Sequence, residues 1–255
     1  MPAMNLSDPV QRRIFFEVHR DLPREAPGST ASTAQALDLA GDAAHAMAVL
    51  DVACGPGMQT LALADRLPLA QIIAVDLYGP YLGEVRRRAA GAGSGPRIHP
   101  VCADMAHLPF ARGSFDLVWC EGGVYLLGVE SALQAWRELL RPGGRIAFTD
   151  AVWLRDGAPA AVRSFWQEYP GMQDVAGVRA AIRRAGLETV GDFVLPERDW
   201  WDSYYSPMER RIESIRQRCP DDAVATGVLD ECQAEIDLYR RYAEWYGYAF
   251  FIASV

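Results

Sequence analysis

Three acids and two glycines in the first half of the chain have the types and spacing to hold a nucleotide-like molecule. Val49-Leu50-Asp51-Val52-Ala53 is a short apolar run carrying one acid, and it ends in Cys54-Gly55-Pro56-Gly57. Glycine serves where the backbone takes unusual dihedrals or approaches a ligand closely, and a helix after such a turn presents free amide groups. A lone Gly-x-Gly is weak evidence, because ordinary tight turns use it. An acid four residues before the turn makes it far more specific. Asp76 closes a second apolar run, Gln71–Val75. A carboxylate there can accept both ribose hydroxyls of an adenosine-bearing molecule, or else cap the following helix. Asp104 follows a third run that ends at Cys102, and Met105 stands next to it. An acid and an amide at that point can hold adenine by its edge, with the methionine packed on its face.

These residues need strand ends to position them, and the chain supplies a regular alternation. Strand-like runs at 48–53, 71–75, 97–102, 115–120 and 145–149 are separated by helix-like blocks at 60–67, 84–90 and 130–140. The last block buries Leu133, Trp136, Leu139 and Leu140 at helical spacing, and Arg141-Pro142-Gly143-Gly144 stops it. Such alternation predicts βαβ units and a mainly parallel sheet, with its ligand at the carboxyl ends of the strands. A helix over 175–185 leads to a strand over 188–195, then a helical, aromatic-rich stretch, then a final strand. The expected fold is a doubly wound α/β, Rossmann-like sheet of seven strands, five of them parallel neighbours. We expect a single domain over 1–255: a helical cap at 1–47, a cofactor core at 48–198, a helical lid at 199–245 and a last strand at 246–255. Ser29 or Ser32 would cap a helix through Leu37 in the cap segment.

The blocks Asp51–Gly57, Asp76, Asp104, Phe115-Asp116-Leu117-Val118 and Leu140–Gly144 resemble those of class I S-adenosylmethionine-dependent methyltransferases. More narrowly, Trp119–Tyr125, Tyr169-Pro170 and Tyr246-Gly247-Tyr248 resemble a set of bacterial small-molecule methyltransferases. The resemblance implies S-adenosyl-L-methionine as cofactor and S-adenosyl-L-homocysteine as product. It implies that the turn of Asp51, Ala53, Gly55 and Gly57 passes the methionine part and that Asp76 binds ribose. Asp104 and Met105 would frame adenine, and backbone near Cys120 would meet the cofactor's amino group. Gln59, Thr60 and Leu77 complete the expected cofactor contacts.

Just past the fourth strand, Glu121 and Tyr125 would face the methyl group. Glu121 is the candidate general base, with a structural carboxylate as the plain alternative, and Tyr125 the orienting donor. His19 is a further candidate, because N-terminal helices in such folds often close over the site. The aromatic group Trp200, Trp201, Tyr204, Tyr205, Trp245 and Tyr246 could wall an acceptor pocket or simply be core between lid and sheet. No Asn-Pro-Pro-aromatic tetrad follows the fourth strand, which disfavours amino methylation of DNA bases or glutamine.

Composition narrows the partners. The net charge of −8 argues against nucleic acid, since phosphate binding needs a clustered basic surface. The short basic runs at 86–88 and 210–211 fit solvated helix faces. The five scattered cysteines fit reduced thiols in a cytoplasmic protein, and no metal cluster, secretory signal or membrane span is expected. A small-molecule acceptor is expected, and a homodimer is left open. A nicotinamide dehydrogenase would want a third glycine where Thr60 stands, and a Tyr-x-x-x-Lys that is absent. A non-catalytic module that binds the same cofactor, or a partner subunit, is the other alternative.

Overall fold

The computed structural model describes residues 6–41 and 47–255, so residues 1–5 and 42–46 of the expected cap lie outside the described residues. Eight strands form one sheet: β1 Ala48–Val52, β2 Gln71–Asp76, β3 Ile98–Cys102, β4 Phe115–Cys120, β5 Leu140–Trp153, β6 Gln173–Asp174, β7 Glu188–Val194 and β8 Tyr246–Ser254. Their order is β3-β2-β1-β4-β5-β8-β7, with β6 appended to β5. The pairs joining β3, β2, β1, β4 and β5 are parallel, and β8 runs antiparallel between β5 and β7. The two-residue β6 adds an eighth strand to the seven expected. From β1 the chain winds outward to β3 and then returns to the other side of β1 as β4. The strand order therefore reverses between β1 and β4, which opens a crevice at their carboxyl ends.

Side-chain parity assigns each sheet face its own layer. Val49, Leu117, Trp119, Ala147 and Phe250 belong to one core, and Leu50, Val118, Cys120, Phe148 and Phe251 to the other. Alternate residues of a strand point to opposite faces, so strands covered on both sides read as continuous apolar runs. Helices α5 (Val129–Arg137) and α7 (Val175–Arg184) cover the Cys120 face through Leu133, Trp136, Val178 and Ile182. The Trp119 face is packed by α1 (Pro9–Val18), α2 (Thr30–Leu39), α3 (Met58–Arg66) and α4 (Gly79–Gly91). Further along the same face lie α6 (Ala160–Phe165) and the lid. In the lid, α8 (Arg198–Trp200) passes through a wide π-helical turn, Trp201–Tyr205, into α9 (Ser206–Arg218); α10 (Ala223–Tyr242) follows.

Two boundaries differ from expectation for one reason. Helix α5 ends at Arg137 rather than near residue 140, and β5 runs from Leu140 to Trp153 rather than 145–149. Leu140 already pairs with Phe115, and β8 pairs with β5 continuously from Arg145 to Trp153. A ladder to a distant strand extends β5 beyond anything its local pattern announces. Ser29 caps α2 through the amide of Ser32, at 3.1 Å. Among the described residues no helix is long and apolar enough to cross a membrane, and no group of His, Cys, Asp and Glu is placed to hold a metal ion.

The segment between α1 and α2 ties the cap to the sheet. Arg24 donates to Glu121 at 2.5 Å, with side chains 4% and 3% exposed. Thr33 donates to the other oxygen of Glu121 at 2.7 Å, and the Trp119 indole donates to that same oxygen at 2.8 Å. Gly28 lies so close that a Cβ there would stand 3.1 Å from the Glu121 carboxylate. Removing one partner of a buried pair strands the other charge, at a cost of roughly 3–5 kcal/mol. Arg24→Ala is therefore expected to lower the urea unfolding free energy by about 3 kcal/mol. A loss under about 1 kcal/mol would show that water already reaches Glu121.

Candidate functional site

The crevice between β1 and β4 is built on a strained turn. Ala53 has φ +54°, Gly55 +51° and Gly57 +86°, so the chain leaves β1 in the left-handed region at three of five positions. For Ala53, which carries a Cβ, this conformation costs on the order of 1–3 kcal/mol and persists only where the surroundings enforce it. A Cβ on Gly57 would stand 2.7 Å from Val85, which leaves room for nothing larger than glycine against α4. The next residues open α3, which has no side-chain cap, so its first amides face the crevice unshielded.

Acids converge on this turn. Asp76, at the end of β2, accepts from the Gly55 amide at 2.9 Å through one oxygen and from the Tyr78 amide at 2.8 Å through the other. Burial pushes its carboxyl above the usual range, opposed by the amides of Tyr78, Gly55 and Leu77. Asp51 is fully buried on β1. One of its oxygens accepts from Thr60 at 2.5 Å, and the other has no partner. Burial raises its carboxyl to about 8, with the Thr60 hydrogen bond pulling the other way. Gln59 donates to the Cys54 carbonyl at 2.7 Å and locks the turn. An unpartnered buried acceptor beside a left-handed glycine turn fits a ligand that brings a hydrogen-bond donor.

Asp104 follows β3, whose last residue Cys102 pairs with Asp76. It is exposed, and the Ala106 amide, at 2.8 Å, holds its carboxyl below the usual range. Met105 is half-buried, and its methyl reaches within 4.0 Å of the Cβ position of Gly123. That same position lies 2.6 Å from Ala53 and 3.2 Å from the Cys120 sulfur. Ala53, Cys120 and Met105, predicted from three separate strands, thus meet at Gly123. Leu77 is exposed beside Asp76, where an apolar side chain is free to cover a ligand. Burial pushes the Cys120 thiol up, so Cys120 is an inert wall.

The candidate catalytic residues divide. Glu121 is not a free base: Arg24, Thr33 and Trp119 occupy both its oxygens, and it serves to anchor the cap. His19 ends α1, and it is buried rather than on an exposed helix face. It pairs with Glu25 at 2.6 Å and lies 6.5 Å from the Tyr204 ring. Tyr125 sits on the short turn Val124–Leu126, half-exposed, with its ring 5.8 Å from that of Tyr169. A cleft of about 750 Å³ runs from His19 and Glu25 past Pro56 to Tyr78 and Tyr81. Phe16 of α1 stacks on Tyr78 at 4.2 Å across it.

Sequence reasoning missed four side chains here. Glu25 lies over the glycine turn, 3.4 Å from the Cβ position of Gly55, with one buried oxygen unpartnered. Arg24 is the countercharge of Glu121, and nothing local in the sequence marks either residue. Asp150 follows Thr149 inside β5 and is buried. Glu235, in the middle of α10, accepts from Tyr205 at 3.0 Å. Of the aromatic group, Trp200 is core: it stacks on Tyr239 at 4.0 Å and meets Tyr246 and Tyr248 edge-on. Trp201 turns outward under the Arg240 guanidinium, 4.9 Å from its ring centre.

Comparison with known proteins agrees with this geometry. The family model described as a methyltransferase domain matches residues 49–144. The methyltransferase GfsG of Streptomyces halstedii is 31% identical over 146 residues, 55% of this chain and 52% of its own length. A malonyl-[acyl-carrier protein] O-methyltransferase of Enterobacter lignolyticus is 33% identical over 135 residues, 52% of this chain and 48% of its own. The chain thus spans about half the length of the curated relatives it matches. Among solved structures, a methyltransferase of Thiobacillus denitrificans in complex with S-adenosyl-L-homocysteine shares the fold at a TM-score of 0.81. It is 19% identical, with 94% of this chain and 97% of that one covered. The glycine turn and the acids Asp51, Asp76 and Asp104 all fall inside the segment that is similar to a methyltransferase domain.

Proposed function

We propose that the protein binds S-adenosylmethionine in the crevice between β1 and β4 and methylates an oxygen, nitrogen or sulfur atom of a small molecule held under the cap and lid. The observation that carries this reading is the left-handed turn Ala53–Gly57 with Asp76 hydrogen-bonded across it. The turn leaves room for backbone contact with the methionine part. The unpartnered oxygens of Asp51 and Glu25 can accept from an ammonium group. Asp76 is placed to exchange its hydrogen bonds to Gly55 and Tyr78 for ribose hydroxyls, with Leu77 and Met105 on either side of the adenine. When bound, the cofactor supplies an electrophilic methyl on a sulfonium, so the protein's task is alignment and exclusion of water. The cap performs the second part: Arg24 and Thr33 hold residues 24–33 onto Glu121, and Gly122 packs on Ala26, where a Cβ would approach to 2.2 Å.

Calorimetric titration with S-adenosylhomocysteine, beside NADH as a control, tests the reading directly. Micromolar binding of the first and none of the second is expected; a folded sample that binds neither would sink it. Asp76→Ala should weaken that binding by about tenfold or more, since charge-assisted hydrogen bonds are lost. Unchanged affinity would mean that the ribose lies elsewhere.

The buried acids also predict a pH dependence. With Asp51 raised to about 8, the folded chain holds a proton that the unfolded chain releases near pH 4. The folded state binds more protons across that window, so stability is fully present below it and falls as pH rises toward 8. The urea midpoint of the ligand-free protein should drop between pH 5.5 and 8, and Asp51→Asn should flatten the slope.

A further inference from the structure

Two further buried acids have no role in the cofactor reading: Asp150 on β5 and Glu235 on the lid helix α10. Asp150 is 1% exposed; Tyr169 donates to one of its oxygens at 3.0 Å, and the other has no partner. Glu235 accepts from Tyr205 at 3.0 Å, with Tyr204 also hydrogen-bonded to it and His19 within electrostatic reach. Tyr248 of β8 lies within electrostatic reach of Asp150, Glu235, Tyr125 and Tyr169 together. Tyr125 in turn reaches Glu235 and Cys120, which ends the strand beside the crevice. Tyr204 connects Glu235 to Glu25 over the glycine turn. Phenols and carboxylates thus form a path of electrostatic neighbours between the strand ends and the lid.

The charge balance of this path is unusual. Glu121 has Arg24 and Glu25 has His19, whereas no ion pair joins Asp150 or Glu235 among the described residues. A buried carboxylate without a countercharge is costly, and it holds its proton until a cation arrives. Aromatic faces around it favour the same kind of ligand. We propose that Asp150, held by Tyr169, binds the methyl acceptor and that the acceptor is an amine, which enters as its ammonium form. This rests on the cofactor reading above.

The chemistry balances with these groups alone. The ammonium gives one proton to the Asp150 carboxylate and becomes a neutral amine. Its nitrogen lone pair then forms the N–C bond to the methyl as the C–S bond breaks, and that bond's electron pair returns to sulfur. The methylated nitrogen carries the positive charge left on the product side, and it sheds a proton to solvent on release. Burial raises the Asp150 carboxyl to about 7, offset in part by Tyr169 and the Ala151 amide, which suits proton exchange near neutrality. The other titratable groups facing it are Tyr248 on β8 and Cys120 on β4, and neither supplies a positive charge.

The test uses protein saturated with S-adenosylhomocysteine, titrated with benzylamine and tyramine against benzyl alcohol and benzoate. The amines should bind at least tenfold more tightly than the alcohol and the acid. Their affinity should rise between pH 6 and 8 as Asp150 ionises. Asp150→Asn should remove both effects while S-adenosylhomocysteine affinity stays within twofold. If that variant fails to fold, the wild-type pH profile and Tyr169→Phe carry the same test, the latter with amine affinity lowered severalfold. Equal binding of amines and alcohol, or a flat wild-type profile, overturns the assignment. A variant that loses affinity for the cofactor rather than for the amines overturns it as well, because Asp150 would then serve the sulfonium. Absence of S-adenosylhomocysteine binding in the wild type would instead bring down the cofactor reading and this inference with it.

Discussion

Burying a guanidinium and a carboxylate together is expensive unless every remaining donor and acceptor finds a partner, and the Arg24–Glu121 pair meets that condition in a crowded place. Glu121 is the first residue past β4, so its position is fixed by the strand. Arg24 belongs to an irregular segment that Arg88 also holds, by donating to the Leu22 and Pro23 carbonyls. Thr33 on α2 donates to Glu121, and the second guanidinium nitrogen of Arg24 donates to Thr33 at 3.2 Å. Ser32 of the same helix donates to Asp199 of the lid at 2.5 Å, and the Gly28 amide donates to the Asp199 carbonyl. Cap, sheet end and lid are thereby joined through one polar cluster. The cleft over the glycine turn is bordered by this cluster through His19 and Glu25.

Packing supplies the other half of that arrangement. On one face of the sheet Trp119 meets Phe250 at 5.2 Å, and the lid brings Trp200 and Tyr239 onto Tyr246 of β8. Aromatic contacts of this kind add about 0.5–1.5 kcal/mol each beyond their burial. They hold a lid whose own helices carry abundant charge, including Arg216–Asp230 and Arg240–Glu209 pairs near the surface. The wide turn Trp201–Tyr205 shifts the helical register between α8 and α9. It lets Trp200 point into the core while Trp201 faces out, and it brings Tyr204 and Tyr205 round toward Glu235.

The sequence made the parallel half of the sheet legible, because βαβ units write themselves locally: an apolar run, an acid or glycine at its end, then a helical stripe. The same rule singled out Asp51, Asp76 and Asp104 as candidates. What it could not show were contacts between residues far apart in the chain. The full length of β5 depends on β8, which is more than ninety residues away along the chain. Glu121 looked like a base because its countercharge, Arg24, lies in a segment with no periodic pattern. Asp150 lies inside β5, whose run to Trp153 depends on the ladder to β8 rather than on a local pattern. Glu235 sits in the middle of a helix whose pattern concerns packing alone.

The position of β8 bears on how the chain reaches this state during synthesis. It is the last strand in sequence order, yet it lies inside the sheet, paired on both edges with β5 and β7. Until Tyr246–Ser254 has left the ribosome, two earlier strands hold open edges that any extended peptide could occupy. The parallel strands β1 to β5 can assemble while translation continues, but the two faces of the sheet cannot both close. A nascent chain of this protein therefore has the strands that frame the crevice before it has the strand that completes the sheet.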